Sequence, residues 1–187
     1  MAISPEGKEI AITARGDVFV TSIDYKTTRR ITNTPEQERG LTFSKDGRTL
    51  YYAAERNGHW GIWGTSLVDK EDKMFTYAVK LEEKLITKEG ETCFQPQVSP
   101  DGKYIAYSCR KLTGKKYAFS TNTEIYIYNV ENAKATKIST AGGYDTDPVW
   151  SPDGGKICWV SMERDGYEAD KQRLIVADLN WNTMDEN

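Results

Sequence analysis

The side chains able to do chemistry are few: one histidine, three cysteines and some acidic groups. His59 stands in Arg56-Asn57-Gly58-His59-Trp60, a turn-like phrase. No Gly-x-Ser-x-Gly elbow accompanies it to supply an exposed nucleophilic serine. The lone imidazole therefore reads as an exposed hairpin residue, and no catalytic residue is expected on this chain. Cys93, Cys109 and Cys158 are an odd set without a Cys-x-x-Cys pair, so buried free thiols are expected in preference to a disulfide framework or a zinc site. Asp145/Asp147 and Asp69/Glu71/Asp72 could offer oxygens to a hard cation, but acidic turns are ordinarily just solvated. Tyr144-Asp145-Thr146-Asp147-Pro148 is the best of these because it enters a strand. The expectation is still no metal and no cofactor.

Charge offers a better lead. Arg110, Lys111, Lys115 and Lys116 crowd one long polar stretch; Glu163, Asp165, Glu168 and Asp170 crowd another. Each alone reads as a solvated face. Side by side they would form a rim able to bind a partner. Whether they meet depends on the elements that carry them.

Those elements are set by repetition. Four near-copies of one phrase occur: Ser4-Pro5-Glu6-Gly7-Lys8, Ser44-Lys45-Asp46-Gly47-Arg48, Ser99-Pro100-Asp101-Gly102-Lys103 and Ser151-Pro152-Asp153-Gly154-Gly155. Proline presets φ for a tight turn, and the glycine tolerates the positive φ that closes it. An apolar-alternating strand follows each copy: Ile10/Ile12, Leu50/Tyr52, Ile105/Tyr107 and Ile157/Trp159. A second strand follows every one, and weaker segments at Arg30–Thr32, Lys84–Thr87 and Lys137–Thr140 close most units. Short strands ending at Phe43, Val98 and Trp150 precede the later copies. The copies start 40, 55 and 52 residues apart, which fits units of roughly 40–45 residues carrying insertions.

The fold class is thus all-β: a β-propeller of four-stranded antiparallel blades, four repeats, a partial propeller. The blades are expected at about 1–34, 35–89, 90–140 and 141–181, with 182–187 a tail. Phe43, Val98 and Trp150 should be equivalent buried positions. The first blade has only a stub of an innermost strand and the last lacks a fourth, so the strand over 174–179 should be an open edge. Self-association through the terminal blades into a ring of eight is one expected answer. A complete four-bladed propeller with a degraded last blade is the alternative. The stretches 110–123 and 162–173 both join second to third strands of neighbouring blades and should form one rim. Val68–Leu81 joins third to fourth strands and should project from the opposite end.

The balance of 25 basic and 28 acidic residues gives a net charge of −3 and no electrostatic case for nucleic acid or an anionic membrane. No apolar run approaches the roughly 18 residues a membrane helix needs.

The repeated phrases resemble the WD40-like repeats of TolB-like propellers. Arg110–Tyr128, Gly143–Pro148 and Ser161–Lys171 further resemble the propeller of bacterial dipeptidyl peptidases of the prolyl oligopeptidase family. Arg15–Phe19, Arg29–Arg39 and Glu55–Gly58 resemble the propeller of tricorn-like serine peptidases. Two resemblances meeting near Ser99–Gly102 fit a hybrid of two fragments or a natural mosaic. Either resemblance implies a substrate filter or docking platform for a separate hydrolase domain, and a periplasmic or secreted bacterial parent. The partner would be a peptide or the protein's own catalytic domain. The alternative is a self-associating TolB-like scaffold module.

Overall fold

The computed structural model describes residues 1–112, 114–167 and 169–179. Among these, fifteen strands and one short helix form two compact units, Met1–Gly90 and a second beginning at Glu91.

The first unit holds two four-stranded antiparallel sheets. One is β1 (Ala2–Ile3), β2 (Glu9–Ala14), β3 (Asp17–Ser22) and β4 (Thr28–Arg30); the other is β5 (Glu38–Phe43), β6 (Thr49–Arg56), β7 (His59–Leu67) and β8 (Leu81–Leu85). The second unit repeats the pattern with β9 (Thr92–Val98), β10 (Tyr104–Arg110), β11 (Glu124–Asn129) and β12 (Ala135–Lys137). It ends in a three-stranded sheet of β13 (Asp145–Trp150), β14 (Lys156–Ser161) and β15 (Arg173–Asp178). The helix α1 (Lys115–Phe119) lies between β10 and β11.

The repeated phrase makes the same turn four times. The amides of Gly7, Gly47, Gly102 and Gly154 donate to the carbonyls of Ser4, Ser44, Ser99 and Ser151 at 2.8–2.9 Å. These glycines sit at φ of 68°, 69°, 80° and 72°, where a side chain would be strained. Each serine hydroxyl accepts the first amide of the next strand: Glu9 at 3.0, Thr49 at 2.8, Tyr104 at 3.0 and Lys156 at 2.8 Å. In three turns that hydroxyl donates to an aspartate, Asp46, Asp101 or Asp153. The serines are fixed turn residues.

Register confirms the equivalence of the blades. Ile3 faces Ile10, Phe43 faces Leu50, Val98 faces Ile105 and Trp150 faces Ile157. Phe43 is buried as expected, whereas Val98 and Trp150 are half-buried. Inside the first unit, Ala11, Val18 and Val20 pack with Phe43, Leu50 and Tyr52. Inside the second, Ala106, Ile125 and Ile127 pack with Ile157 and Trp159. A bulge recurs three residues before each of those strand ends, with positive φ at Gly40, Gln95 and Asp147.

The insertion between β7 and β8 does not simply project. Phe75 is fully buried with Phe43 in the core. The buried Glu9 carboxylate accepts the amides of Phe75 (3.0 Å) and Thr76 (2.8 Å) and the Thr76 hydroxyl (2.8 Å). A buried apolar residue and a buried acid hold the loop onto the first sheet.

Candidate functional site

The two charged stretches meet in the second unit, but not by opposite charge. Asp165, in the loop from β14 to β15, accepts the Ser120 hydroxyl at 2.6 Å and the amides of Thr121 (2.9 Å) and Asn122 (3.1 Å) from the loop between β10 and β11. The Gly166 amide donates back to the Thr121 hydroxyl at 3.0 Å. The Ser120 hydroxyl first, then the backbone amides, hold the Asp165 carboxyl below its ordinary pKa. A third strand of the rim comes from Gly143, whose carbonyl accepts the Thr123 amide (3.2 Å) and the Asn122 side chain (3.1 Å). A Cβ on Gly143 would overlap the Met162 carbonyl, so this crossing requires glycine.

The remaining charges mostly order their own loops. Arg110 lies 3.8 Å over the Tyr117 ring and donates to the Tyr117 and Ser120 carbonyls, holding α1 and its C-terminal end against itself. Lys111 pairs with Glu91 at 3.1 Å. Asp170 pairs with Arg164 at 2.9 Å and accepts the amides of Glu163, Arg164 and Lys171; the Arg164 guanidinium first, then the Arg164 and Lys171 amides, hold its carboxyl well below the usual range. Glu163 pairs with Arg173 at 3.0 Å. Lys115 and Lys116 are exposed on α1, beside Phe119, which is 83% exposed. Glu168 lies outside the described residues. The expected juxtaposition of basic and acidic loops is therefore a hydrogen-bonded seam, because the Ser120 hydroxyl and the Thr121 and Asn122 amides reach Asp165 while Arg110 and Lys111 find nearer partners.

Sequence reasoning missed a second set of positions, visible only in register. Glu38, Cys93 and Asp145 each stand five residues before the matched strand ends, opposite Ala54, Cys109 and Ser161. All three are buried. Glu38 accepts the hydroxyls of Thr32 (2.9 Å) and Thr34 (3.0 Å) and the Arg56 guanidinium (2.7 Å). Thr32 also accepts the Val18 amide at 2.8 Å, tying one sheet to the next. Asp145 accepts the Trp159 indole at 3.2 Å, and burial raises its pKa against the opposing hydroxyls of Ser161 and Ser139. Thr32 precedes Glu38, and Ser139 precedes Asp145, by the same six residues.

In the third sheet the acid is replaced. Cys93 and Cys109, directly opposed on β9 and β10, form a disulfide. This corrects the expectation of free thiols: side chains sixteen residues apart in sequence become cross-strand neighbours through the Ser99–Gly102 turn. Cys158 is free and half-buried. The remaining acids serve structure. Asp147 is exposed and accepts from Gln95, and the Asp69/Glu71/Asp72 cluster caps amides in its own loop while Arg48 binds its carbonyls. His59 is exposed at the start of β7.

Comparison with known proteins finds similarity in sequence and in fold. The chain is 58% identical over 82 residues to Dipeptidyl-peptidase 5 of Porphyromonas gingivalis, a match covering 43% of this chain and 12% of that one. Against Dipeptidyl-peptidase 5 of Porphyromonas endodontalis it is 34% identical over a 224-position alignment covering 94% of this chain. The chain is similar in sequence to dipeptidyl-peptidase 5 and has the fold of a partial β-propeller. Among solved structures, TolB from Acinetobacter baumannii superposes with a TM-score of 0.69 at 19% identity, over 95% of this chain and 40% of that one. No family model matches the chain. The chain spans about a third or less of the dipeptidyl-peptidase relatives it matches, 12% and 32% of their lengths.

Proposed function

We propose that this segment is the non-catalytic propeller portion of a serine peptidase, where it filters peptide substrate or docks a separate hydrolase domain. The observation that carries this reading is a rim of two long loops, stitched at Asp165, on a propeller segment homologous to a dipeptidyl peptidase. Long ordered loops on a rigid scaffold are where propellers and barrels place recognition. Lys115, Lys116 and the exposed Phe119 on α1 offer cationic and apolar contacts to a peptide, and the Glu163 carboxylate, 70% exposed, offers an anionic one. The Cys93–Cys109 bridge suits a protein that folds in an oxidising compartment.

A panel of fluorescent acidic and neutral peptides titrated onto the purified chain tests the reading. Saturable binding weakened by Lys115→Glu/Lys116→Glu supports it; binding indifferent to that double variant and to Asp165→Ala sinks it.

A further inference from the structure

Among the three matched buried positions, only the third sheet sets two metal-ligating side chains face to face. Glu38 and Asp145 stand opposite Ala54 and Ser161, neither of which offers a thiol, imidazole or carboxylate. Cys93 stands opposite Cys109 across β9 and β10, with Cα atoms 4.1 Å apart and both side chains buried. Strand register thus supplies what the missing Cys-x-x-Cys spacing does not.

A carboxylate completes the group. Side chains alternate along a strand, so Glu91 falls on the face of Cys93, and Lys111 on the face of Cys109. Glu91 Oε2 lies 3.9 Å from Cys109 Sγ. Its other oxygen, Oε1, takes the Lys111 ammonium at 3.1 Å, and that ammonium also lies 3.9 Å from the centre of the Tyr126 ring. Lys111 is thereby a positioning residue, which holds one carboxylate oxygen and leaves the second turned to the sulfurs. Ligand atoms of Glu91, Cys93 and Cys109 all lie within 4.8 Å of one another.

Donors of this kind and spacing suit zinc. With bonds of about 2.3 Å to sulfur and about 2.0 Å to oxygen, a tetrahedral site keeps two sulfurs about 3.8 Å apart and a sulfur and an oxygen about 3.5 Å apart. The separation between Glu91 and Cys109 is already close to that, and two unbonded sulfurs rest at a similar contact distance. Calcium and magnesium take oxygen ligands and would be poorly served here. Two thiolates, one carboxylate, the Lys111 ammonium and Zn²⁺ sum to zero charge, which a buried site requires. The Glu91 side chain, 16% exposed, is the member of the group that reaches solvent, so water supplies the fourth ligand.

We propose that Cys93, Cys109 and Glu91 form a zinc site when the two cysteines are reduced, so that zinc and the disulfide are alternative clasps between β9 and β10. A dithiol reduces the bridge: two electrons and two protons pass to Cys93 and Cys109, the S–S bond breaks, and the dithiol closes to its own disulfide. Zinc then displaces both thiol protons. In the reverse direction a small disulfide takes two electrons from the two zinc-bound thiolates, the Cys93–Cys109 bond forms, and two small thiolates and Zn²⁺ leave. The peptide-binding reading rests on other residues, so each can fail alone.

The test is zinc uptake by the purified chain, reduced by a dithiol in urea, refolded and desalted without oxygen, and titrated against a chromogenic zinc chelator. One equivalent per reduced chain is expected, and none for the disulfide form of the same chain. Cobalt in place of zinc should show thiolate-to-metal absorption and the visible bands of a tetrahedral site. Glu91→Gln should weaken zinc binding by about tenfold or more, at least the cost of losing an outer-shell partner, and shift the cobalt bands. Cys158→Ser should bind as the wild type does, which separates this site from the free thiol. Adding a small disulfide to the zinc-loaded chain should release the metal and restore the Cys93–Cys109 bond. Circular dichroism checks that the reduced chain and each variant keep the fold. A folded, reduced chain that takes up no zinc overturns the proposal. So does uptake that is equal in the disulfide form or in Cys93→Ser, and an unchanged affinity in Glu91→Gln removes the carboxylate from the site.

Discussion

The Asp165 carboxylate and the Ser120 hydroxyl, 45 residues apart in sequence, sit 2.6 Å apart and join the two longest loops of the second unit. With the amides of Thr121 and Asn122 on the same oxygen, one aspartate orders a neighbouring loop that has few buried side chains of its own.

That relationship predicts a pH response. The Ser120 hydroxyl and the backbone amides depress the folded pKa of Asp165 below its ordinary 3.8. The stabilisation is therefore present above the ordinary value and lost as pH falls through the depressed folded value. Amide exchange at Thr121 and Asn122 should be faster in Asp165→Asn than in wild type at neutral pH, with the difference vanishing as pH falls through the depressed folded value. Equal protection in the variant would show that the seam does not depend on the carboxylate.

Gly143 should tolerate no side chain. Gly143→Ala must push the Met162 carbonyl aside, so the variant is expected to lose peptide binding at the rim together with stability of the second unit. An unchanged melting curve and unchanged exchange at Thr123 would refute this crossing.

Glu38 should matter more than any surface acid. Removing it leaves the Arg56 guanidinium, whose side chain is 16% exposed, without that partner, and strands the Thr32 and Thr34 hydroxyls. Glu38→Ala should cost about 3 kcal/mol in urea unfolding, the usual loss on breaking a buried pair. A loss within error of an exposed control such as Glu6→Ala would place the latch elsewhere.

Reduction of Cys93–Cys109 should destabilise the second unit by about 3 kcal/mol, from the entropy regained by the unfolded loop. Cys93→Asp with Cys109→Ser rebuilds the Asp145/Ser161 pairing found in the following sheet. That double variant should melt identically with and without reductant. If it is far less stable than the reduced wild type, the repeat equivalence of these positions does not extend to their chemistry.

Asp145 is expected to behave in the opposite sense to Asp165. Burial raises its folded pKa above 3.8, so the protonated form is favoured and the associated stability is lost as pH rises through the folded value. Asp145→Asn should be more stable than wild type at neutral pH, with the difference shrinking below that ordinary value. A destabilised asparagine variant at neutral pH would mean the charge itself is used.

Period-two alternation and the four Ser-x-x-Gly turns were enough, in the linear chain, to establish the blades: the turn is local, closed by its own serine, aspartate and glycine, and needs nothing distant. The equivalence of Phe43, Val98 and Trp150 followed from the same repeat, although their degree of burial did not, because burial depends on which sheet covers each face. The rim was legible as two loops but not as a seam, since charge suggests attraction and says nothing of which short hydroxyl lies nearest. Likewise Cys93, Glu38 and Asp145 share no residue type, and only strand register shows them to be one position. The folding-back of the loop onto Glu9 depended on a contact spanning more than sixty residues. Local geometry is written in neighbouring residues, while the choice of partner for a buried acid, a thiol or an apolar face is made by chain segments that sequence order keeps apart.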